Sequence, residues 1–367
     1  MLINIIICIA ILSLNILLIY YLYFFIKLIN LKQNNDIYNS PVSIIICAKN
    51  ELENLKINLP KILNQDYLNF EVIVVDDQSI DGTAKLLKIL QKKYSHLVVV
   101  SIEQHINHRR GKKFALTLGI KTAKYTHLLL TDADCQPISN QWVKKMCSNF
   151  HQSDIVLGYG FYEKKSGFLN KIIRYDTFNI AQQYMSYALR GYPYMGVGRN
   201  MAYKKSLFFE NNGFGKHIQI PSGDDDLFIQ DVANNKNVSV ELSKESHTIS
   251  KVIESWKSWI YQKRRHTTTA PLYKTKFKIL LAIYPLSLAL YWSTFILLII
   301  LKANLFILII LLAVKLVYTY TVNFKLMKKM KIFDLYWIHP IYEIFHIIIQ
   351  GFFVLLNLFN QPKEWSR

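Results

Sequence analysis

Acidic residues are scarce in this chain: 25 Asp and Glu stand against 44 Lys and Arg over 367 residues, a formal charge of +19. A basic excess of that size suits nucleic acid, anionic lipid headgroups or phosphorylated ligands. The sequence has no finger, recognition helix or RNP-like run, so nucleic acid is not expected as a partner, and lipid and phosphate remain. Cysteine is scarce as well. Cys8, Cys47, Cys135 and Cys147 show no paired metal-ligand spacing; Cys8 lies in an apolar run and Cys47 in an expected strand, so they read as reduced, mostly buried thiols of a cytosol-facing domain. A P-loop is missing too: Gly111-Lys112 lacks the upstream glycine, and no Ser or Thr follows the lysine. The first apolar run has no basic residue ahead of it and no small-x-small cleavage site, which favours a retained anchor over a signal peptide.

Apolar residues, by contrast, are abundant. They make up 51% of the chain and the mean hydropathy is +0.16, too high for an ordinary soluble enzyme of this length. Leu2 to Ile29 is long enough to span a bilayer, with Tyr20, Tyr21 and Tyr23 placed for an interfacial belt; Lys27 and Lys32 put its carboxyl side in the cytoplasm. Leu280 to Leu301 and Ala303 to Tyr320, the latter interrupted by Lys315, are further spanning candidates, and Lys325, Lys328, Lys329 and Lys331 mark a return to the cytoplasm. In the last apolar stretch, Ile332 to Phe359, His339, Glu343, His346 and Gln350 form one polar stripe along a helix. Packing against other helices, or lying at the membrane interface, explains that stripe better than metal ligation. The expected organisation is an anchor over residues 1–30, a cytosolic domain over 41–270, and two or three membrane helices over 277–360, the last of them spanning or interfacial.

The middle of the chain alternates short apolar runs with amphipathic ones. Val42 to Cys47, Phe70 to Val75, Leu97 to Ile102 and the run from His127 read as buried strands, joined by helices around Leu55 to Ile62, Leu86 to Leu90 and Gly111 to Thr122. Such alternation implies parallel strands with right-handed crossovers, hence a doubly wound α/β sheet. The strands end in acids: Asp76-Asp77 after the second, Asp132-Ala133-Asp134 after the leucines of the fourth. Ligands gather at the carboxyl edge of such sheets, so these four carboxylates are expected as neighbours, the Asp-x-Asp pair being suited to a divalent cation. His108 to Lys113 is a cationic loop entering a helix amino end, a place for phosphate.

Further along, a helix over Gln141 to Phe150 and a strand over Asp154 to Gly160 are expected, then a long helix over Gly167 to Arg190 with Phe168, Ile172, Tyr175, Phe178, Ile180 and Tyr184 as buried positions. Gly191 to Asn200 is rich in glycine and aromatics, which lets backbone approach a ligand closely while rings supply apolar faces. Asp224-Asp225-Asp226 leads into a helix; at least one acid serves as a cap, and the surplus suits a general base. Glu254 to Thr269 sets Trp256 and Trp259 on one helical face ahead of Gln262, Lys263, Arg264, Arg265 and His266, an arrangement for a membrane surface or for diphosphate oxygens.

Taken together, Ala48-Lys49-Asn50-Glu51, Val74 to Ser79 with Asp81-Gly82-Thr83, Thr131 to Asp134, the acids after Gly223, and Gln262 to His266 resemble the membrane-anchored, inverting family-2 glycosyltransferases, which include ceramide glucosyltransferases and the synthases of cellulose, chitin and hyaluronan. The resemblance covers about Pro41 to His266. It implies a GT-A fold, a Rossmann-like, mostly parallel sheet flanked here by N- and C-terminal transmembrane helices. Ala48, Glu51, Asp77, Lys112 and Asp132 would then hold a nucleotide sugar, with Asp132 and Asp134 positioning Mg2+ or Mn2+ on its diphosphate. The base is Asp224 if the motif is aligned on Asp226-Leu227, or Asp225 if aligned on the paired acids. Gln262, Arg265, His266 and Asp226 would face the diphosphate and acceptor. His266 replaces the tryptophan of the processive members, so one sugar passing to a lipid-linked or glycan acceptor at a bacterial-type cytoplasmic membrane is the favoured reading, with a uridine nucleotide as donor. A processive polysaccharide synthase is the rival. An inactive nucleotide-sugar-binding protein is disfavoured because binding needs no base, and a nucleotidyltransferase because Ala48 to Asn54 lacks a Gly-rich basic loop.

Overall fold

Val42–Ala48 (β1) and Phe70–Asp76 (β2) are apolar at almost every position, a pattern that a strand can satisfy only when both faces are covered. In the computed structural model, which describes residues 1–32, 38–103, 111–220 and 222–359, both strands are buried along nearly their whole length. Leu97–Ser101 (β3), at one edge, is only partly covered. Alternate side chains of β1 serve two cores. Ile44 and Ile46 pack with Leu55 and Leu59 of Leu52–Leu63 (α2), whereas Ile45 packs with Ala115, Leu116 and Ile120 of Lys112–Thr122 (α4). Between them in sequence, Thr83–Lys93 (α3) crosses from β2 to β3.

Among the described residues the main sheet has seven strands, in the order β3-β2-β1-β4-β8-β6-β9. Here β4 is His127–Leu130, β6 Ile155–Leu157, β8 Met201–Lys204 and β9 Val238–Val240. The first four run parallel, as the alternation predicts, and β8 is antiparallel to both its neighbours. A second, three-stranded sheet combines Cys135–Pro137 (β5), Thr248–Ser250 (β10) and Gly160–Tyr162 (β7). The single strand expected over Asp154 to Gly160 is thus two strands in different sheets. At the break, a Cβ on Gly158 would lie 2.6 Å from the Asn200 side chain, and one on Gly160 2.5 Å from Arg199, so only glycine lets the chain change sheets there. The helix expected from Gln141 to Phe150 is shorter, Trp142–Cys147 (α5), and continues as a 3₁₀ turn.

Phe168–Ala188 (α6) joins this domain to the apolar helices. It is buried on nearly every side, and most of its polar positions are covered too. Phe168, expected inside, is 49% exposed at its amino end, where its ring meets Trp256 and Phe345. Two short helices follow in the chain, Lys205–Glu210 (α7) and Asp226–Val232 (α8), then Trp256–Thr267 (α9).

Four helices among the described residues are long and apolar enough to cross a membrane: Leu2–Ile29 (α1), Thr275–Ile300 (α10), Leu305–Lys329 (α11) and the stretch from His339 within His339–Phe359 (α12). The three C-terminal ones match the expected runs with shifted ends. The last begins at His339 rather than Ile332 because Phe333–Leu335 forms a 3₁₀ turn and Pro340 suits a first helical turn. Its polar stripe is fully occupied by other helices. His339 bonds Tyr175 Oη at 2.7 Å and Asn323 at 2.8 Å, while His346 and Gln350 reach Asp176 of α6 at 3.1 and 3.0 Å. Glu343 pairs with Lys315 Nζ at 2.8 Å and accepts from Trp292 Nε1 at 3.1 Å. The ions at Lys315 and Glu343 are almost wholly buried, so removing one strands the other. Lys315→Met is expected to cost about 3–5 kcal/mol in thermal or denaturant unfolding of the full chain, and Lys315→Met/Glu343→Gln to recover most of that loss.

Candidate functional site

The loops after β1 and β2 clasp each other at the carboxyl edge of the sheet. Asn50 and Gln78 both adopt left-handed backbone, at φ of 56° and 59°. Asn50 N–H donates to Ser79 Oγ (2.8 Å), and Asn50 Oδ1 accepts from Ile80 N–H (2.9 Å). Asp81 accepts from Leu52 N–H and Thr83 N–H, each at 3.0 Å, so the start of α2 is bound to the start of α3. This lattice holds the expected nucleotide residues together. Ala48 C=O accepts from Asp77 N–H (2.8 Å), Asp77 lies 3.8 Å from Lys49 Nζ, and Glu51 accepts from Asn54 Nδ2 (2.6 Å) while its own N–H donates to Thr83 Oγ1 (3.1 Å). Glu51 and Asp77 are buried.

On the other side of β1, Leu130 ends β4 and Asp132, Ala133 and Asp134 turn over the edge. Donor atoms of Asp132, Asp134 and Cys135 lie within 4.8 Å of one another. The thiol is a poor member of that set: burial and the two aspartates push Cys135 well above its usual range, and its Sγ lies 3.0 Å from Ser250 Oγ. That leaves two partly exposed carboxylates, hard oxygen donors of the number Mg2+ or Mn2+ takes from protein when phosphate and water supply the rest. The donor chemistry therefore fits a small divalent cation.

Lys112, at the start of α4, ties this pair to the acid triplet. Its Nζ lies 3.0 Å from Asp132 Oδ1 and 3.1 Å from Asp224 Oδ2. Burial opposes the charge on Lys112, yet the three acids Asp132, Asp224 and Asp225 outweigh it and raise its pKa well above the ordinary lysine value. Of the neighbouring loop, His108, Arg109 and Arg110 lie outside the described residues.

The three acids divide their duties. Asp225 caps α8, its Oδ1 accepting from Asp226 N–H at 2.8 Å and its Oδ2 from Gly198 N–H at 3.0 Å. Asp226, expected toward the acceptor, is instead buried and spoken for: its oxygens take bonds from Thr269 Oγ1, Tyr273 Oη (2.7 Å) and Leu227 N–H (2.8 Å). Asp224 carries no cap and faces Lys112. Gly223 stands at φ +97°, and a Cβ there would come 2.7 Å from Leu227 Cδ1, a conformation closed to the glutamate of the expected motif.

The helix α9 borders the same space. Gln262 Oε1 is 3.5 Å from Tyr162 Oη, and Lys263 is held to Asp176 at 2.5 Å. His266 is open to water, yet the crowded groove, and then the cations Arg265, Lys263, Arg199 and Lys112, hold its imidazole well below the usual pKa. Arg265 and His266 thus share one electrostatic neighbourhood with Lys112. Two wall residues escaped the sequence reading. Arg199 stacks over Tyr162 at 4.7 Å, reaches Ser250 Oγ at 3.4 Å, and feels the charge of both Asp132 and Asp134. Only its place in the glycine-aromatic loop hinted at it; nothing in the sequence marks Tyr162.

Comparison with known proteins gives a consistent picture. Residues 43–210 match the family described as Glycosyl transferase family 2. A poly-beta-1,6-N-acetyl-D-glucosamine synthase of Staphylococcus epidermidis is 32% identical over 93 residues, 25% of this chain and 21% of that protein. A dolichyl N-acetyl-alpha-D-glucosaminyl phosphate 3-beta-D-2,3-diacetamido-2,3-dideoxy-beta-D-glucuronosyltransferase of Methanococcus voltae is 28% identical over 176 residues, 46% of this chain and 50% of that one. The chain spans half or less of the length of these curated relatives. Among solved structures, a mannosyltransferase of Pyrobaculum calidifontis, in complex with GDP-Man and Mn2+, superposes with a TM-score of 0.58 at 18% identity, covering 91% of this chain and 99% of that one; the likeness is one of fold.

The electrostatics of the triplet can be tested without a substrate. Burial, then the charges of Asp224 and Asp226, push Asp225 up to about 7, with Lys112 and the Gly198 N–H opposing. A carboxyl whose pKa rises from 3.8 on folding takes up a proton as it folds, so its contribution to stability is fully present below that value and is lost as pH climbs to about 7. Wild type should therefore lose melting temperature relative to Asp225→Asn as pH rises from 4 to 8. Parallel curves would contradict this.

Proposed function

We propose that this chain, which carries a family-2 glycosyltransferase domain in the GT-A fold, moves one sugar from a nucleoside diphosphate donor to a membrane-associated acceptor with inversion at the anomeric carbon. The single observation that carries the reading is Lys112 held between Asp132 and Asp224, which joins the Asp-x-Asp edge to the acid triplet in one groove. Domain boundaries near 41–270, with membrane helices on both sides and the groove on the cytosolic face, complete the proposal. The four apolar helices support membrane association.

Each residue has a task. Ala48, Glu51 and Asp77 hold base and ribose through acceptors fixed by the clasped loops. Asp132 and Asp134 would hold Mg2+ or Mn2+, which would supply Lewis-acid stabilisation of the leaving group. Lys112 adds a second positive charge on the diphosphate. Asp224 takes the proton of the acceptor hydroxyl; the freed oxygen bonds to the anomeric carbon as the bond to phosphate breaks, and nucleoside diphosphate departs. Asp225 and Asp226 fix the loop that presents Asp224. Gln262, Arg265 and His266 close the groove over diphosphate and acceptor. A uridine nucleotide carrying a hexose or N-acetylhexosamine is the favoured donor, on the family resemblance and on the names of the Staphylococcus and Methanococcus relatives. The former also keeps polymer synthesis as a second reading, which the length of the product decides.

The test is transfer by full-length protein from a panel of UDP- and GDP-sugars with Mg2+ or Mn2+. Asp134→Ala and Asp224→Asn should each lower turnover by about 100-fold or more while melting near the wild-type temperature, and chelation should abolish transfer until metal is restored. Near-wild-type turnover in either variant would remove that residue's role. Donor binding without transfer by wild-type protein would leave only a binding protein.

A further inference from the structure

Lysines beyond the groove remain to be explained. At the far edge of the main sheet, the segment after β9 meets the end of α1 and the turn after α11 around a cavity of about 330 Å³. Lys32, Lys244, Lys328, Lys329 and Lys331 line it, with Ser243 and the single acid Glu241. Lysines at a helix carboxyl end offset its dipole, which accounts for Lys328 and Lys329. Lys32, three residues beyond α1, has the same account, but Lys244 comes from the segment after β9, where no membrane-length helix ends. Glu241 does not neutralise the cluster: its carboxylate accepts from Asn149 Nδ2 (2.9 Å) and Ser243 N–H (2.6 Å), and among the described residues no carboxylate lies within ion-pair distance of any of the five lysines.

The cavity is also built rather than incidental. Lys329 Nζ donates to Ile29 C=O at 2.7 Å, tying α11 to α1, and Lys328 lies over the rings of Phe324 (4.1 Å) and Phe333 (4.9 Å). Tyr159 Oη bonds Met330 C=O at 3.1 Å, fixing the turn in which Lys331 adopts φ +58°. Ser243, 1% exposed, keeps a hydroxyl with no hydrogen-bond partner. Lys32, Lys244 and Lys331 line one cavity with an unspent hydroxyl, a set of donors that suits a phosphate oxyanion. The cavity opens where two apolar helices, α1 and α11, both end, which is headgroup depth if they span.

We propose that this pocket binds the phosphate of an anionic phospholipid headgroup, at a site separate from the sugar-transfer groove. Strands β4, β8 and β6 stand between β9 and β1, so the two sites occupy opposite parts of one sheet edge. The bound lipid fixes the height and tilt of the catalytic domain on the membrane.

The test uses full-length protein in nanodiscs of phosphatidylcholine alone, of phosphatidylcholine with phosphatidylglycerol, and of phosphatidylcholine with inorganic phosphate in the buffer. Native mass spectrometry reads retained lipid and a thermal melt reads stability. Wild type should retain phosphatidylglycerol selectively and melt higher with it. Lys244→Gln/Lys331→Gln should lower that retention about tenfold, while Lys88→Gln/Lys92→Gln, on the exposed face of α3, leaves it unchanged, and Asp134→Ala retains lipid as wild type does even if transfer is lost. Equal retention in the pocket and α3 variants would overturn the proposal. So would a wild-type melt that does not distinguish the two lipids, a comparison that stands even if the pocket variant fails to fold. Stabilisation by inorganic phosphate without phosphatidylglycerol would overturn the lipid assignment in favour of a soluble anion.

Discussion

The ammonium of Lys112, set between Asp132 and Asp224, is the contact on which the site depends. Three acidic segments from separate parts of the chain meet near the end of β1, where the Cys47 thiol is pushed up by burial and feels Lys112, Asp224, Asp132 and Asp77 together. Without a cation among them, carboxylates this close would repel one another and resist burial. The lysine makes the cluster tolerable in the absence of ligand. It also leaves a strongly polar groove suited to an anionic donor that brings its own cation.

The long apolar helices do more than flank the domain. Asp176 on α6 accepts from Lys263 on α9 and from His346 and Gln350 on α12, while Arg264 Nε bonds Asn357 Oδ1 at 3.0 Å. Burial raises the cost of the Asp176 charge, but Lys263, and after it His346, hold this carboxyl far below the usual range. Helix α9, which carries Gln262, Arg265 and His266, is therefore positioned by the same polar network that seats α12 against the domain.

Much of this was legible beforehand, for reasons that differ by element. β1, β2 and β4 are buried on both faces and so write themselves as apolar runs ending in acids; the parallel half of the sheet and its loaded edge followed from that. β8 and the three-stranded sheet did not. Each of those strands is three or four residues long, too short for a period to declare itself, and the switch between sheets depends on how closely Asn200 and Arg199 approach Gly158 and Gly160. Within the acid triplet, composition alone could not assign Asp225 to capping or Asp226 to Thr269 and Tyr273, since those partners lie up to 47 positions away. Arg199 was hidden likewise, because its partners Tyr162 and Ser250 come from other elements.

The central claim is that Asp132 and Asp134 would hold one hard cation against a donor diphosphate, in the space they share with Lys112 and Asp224. Electron paramagnetic resonance of Mn2+ added to full-length protein with a nucleoside diphosphate reads this directly. The account predicts one tightly bound Mn2+ coupled to phosphorus nuclei, a signal lost in Asp134→Ala. Undiminished binding in that variant, or bound Mn2+ without phosphorus coupling, would contradict it.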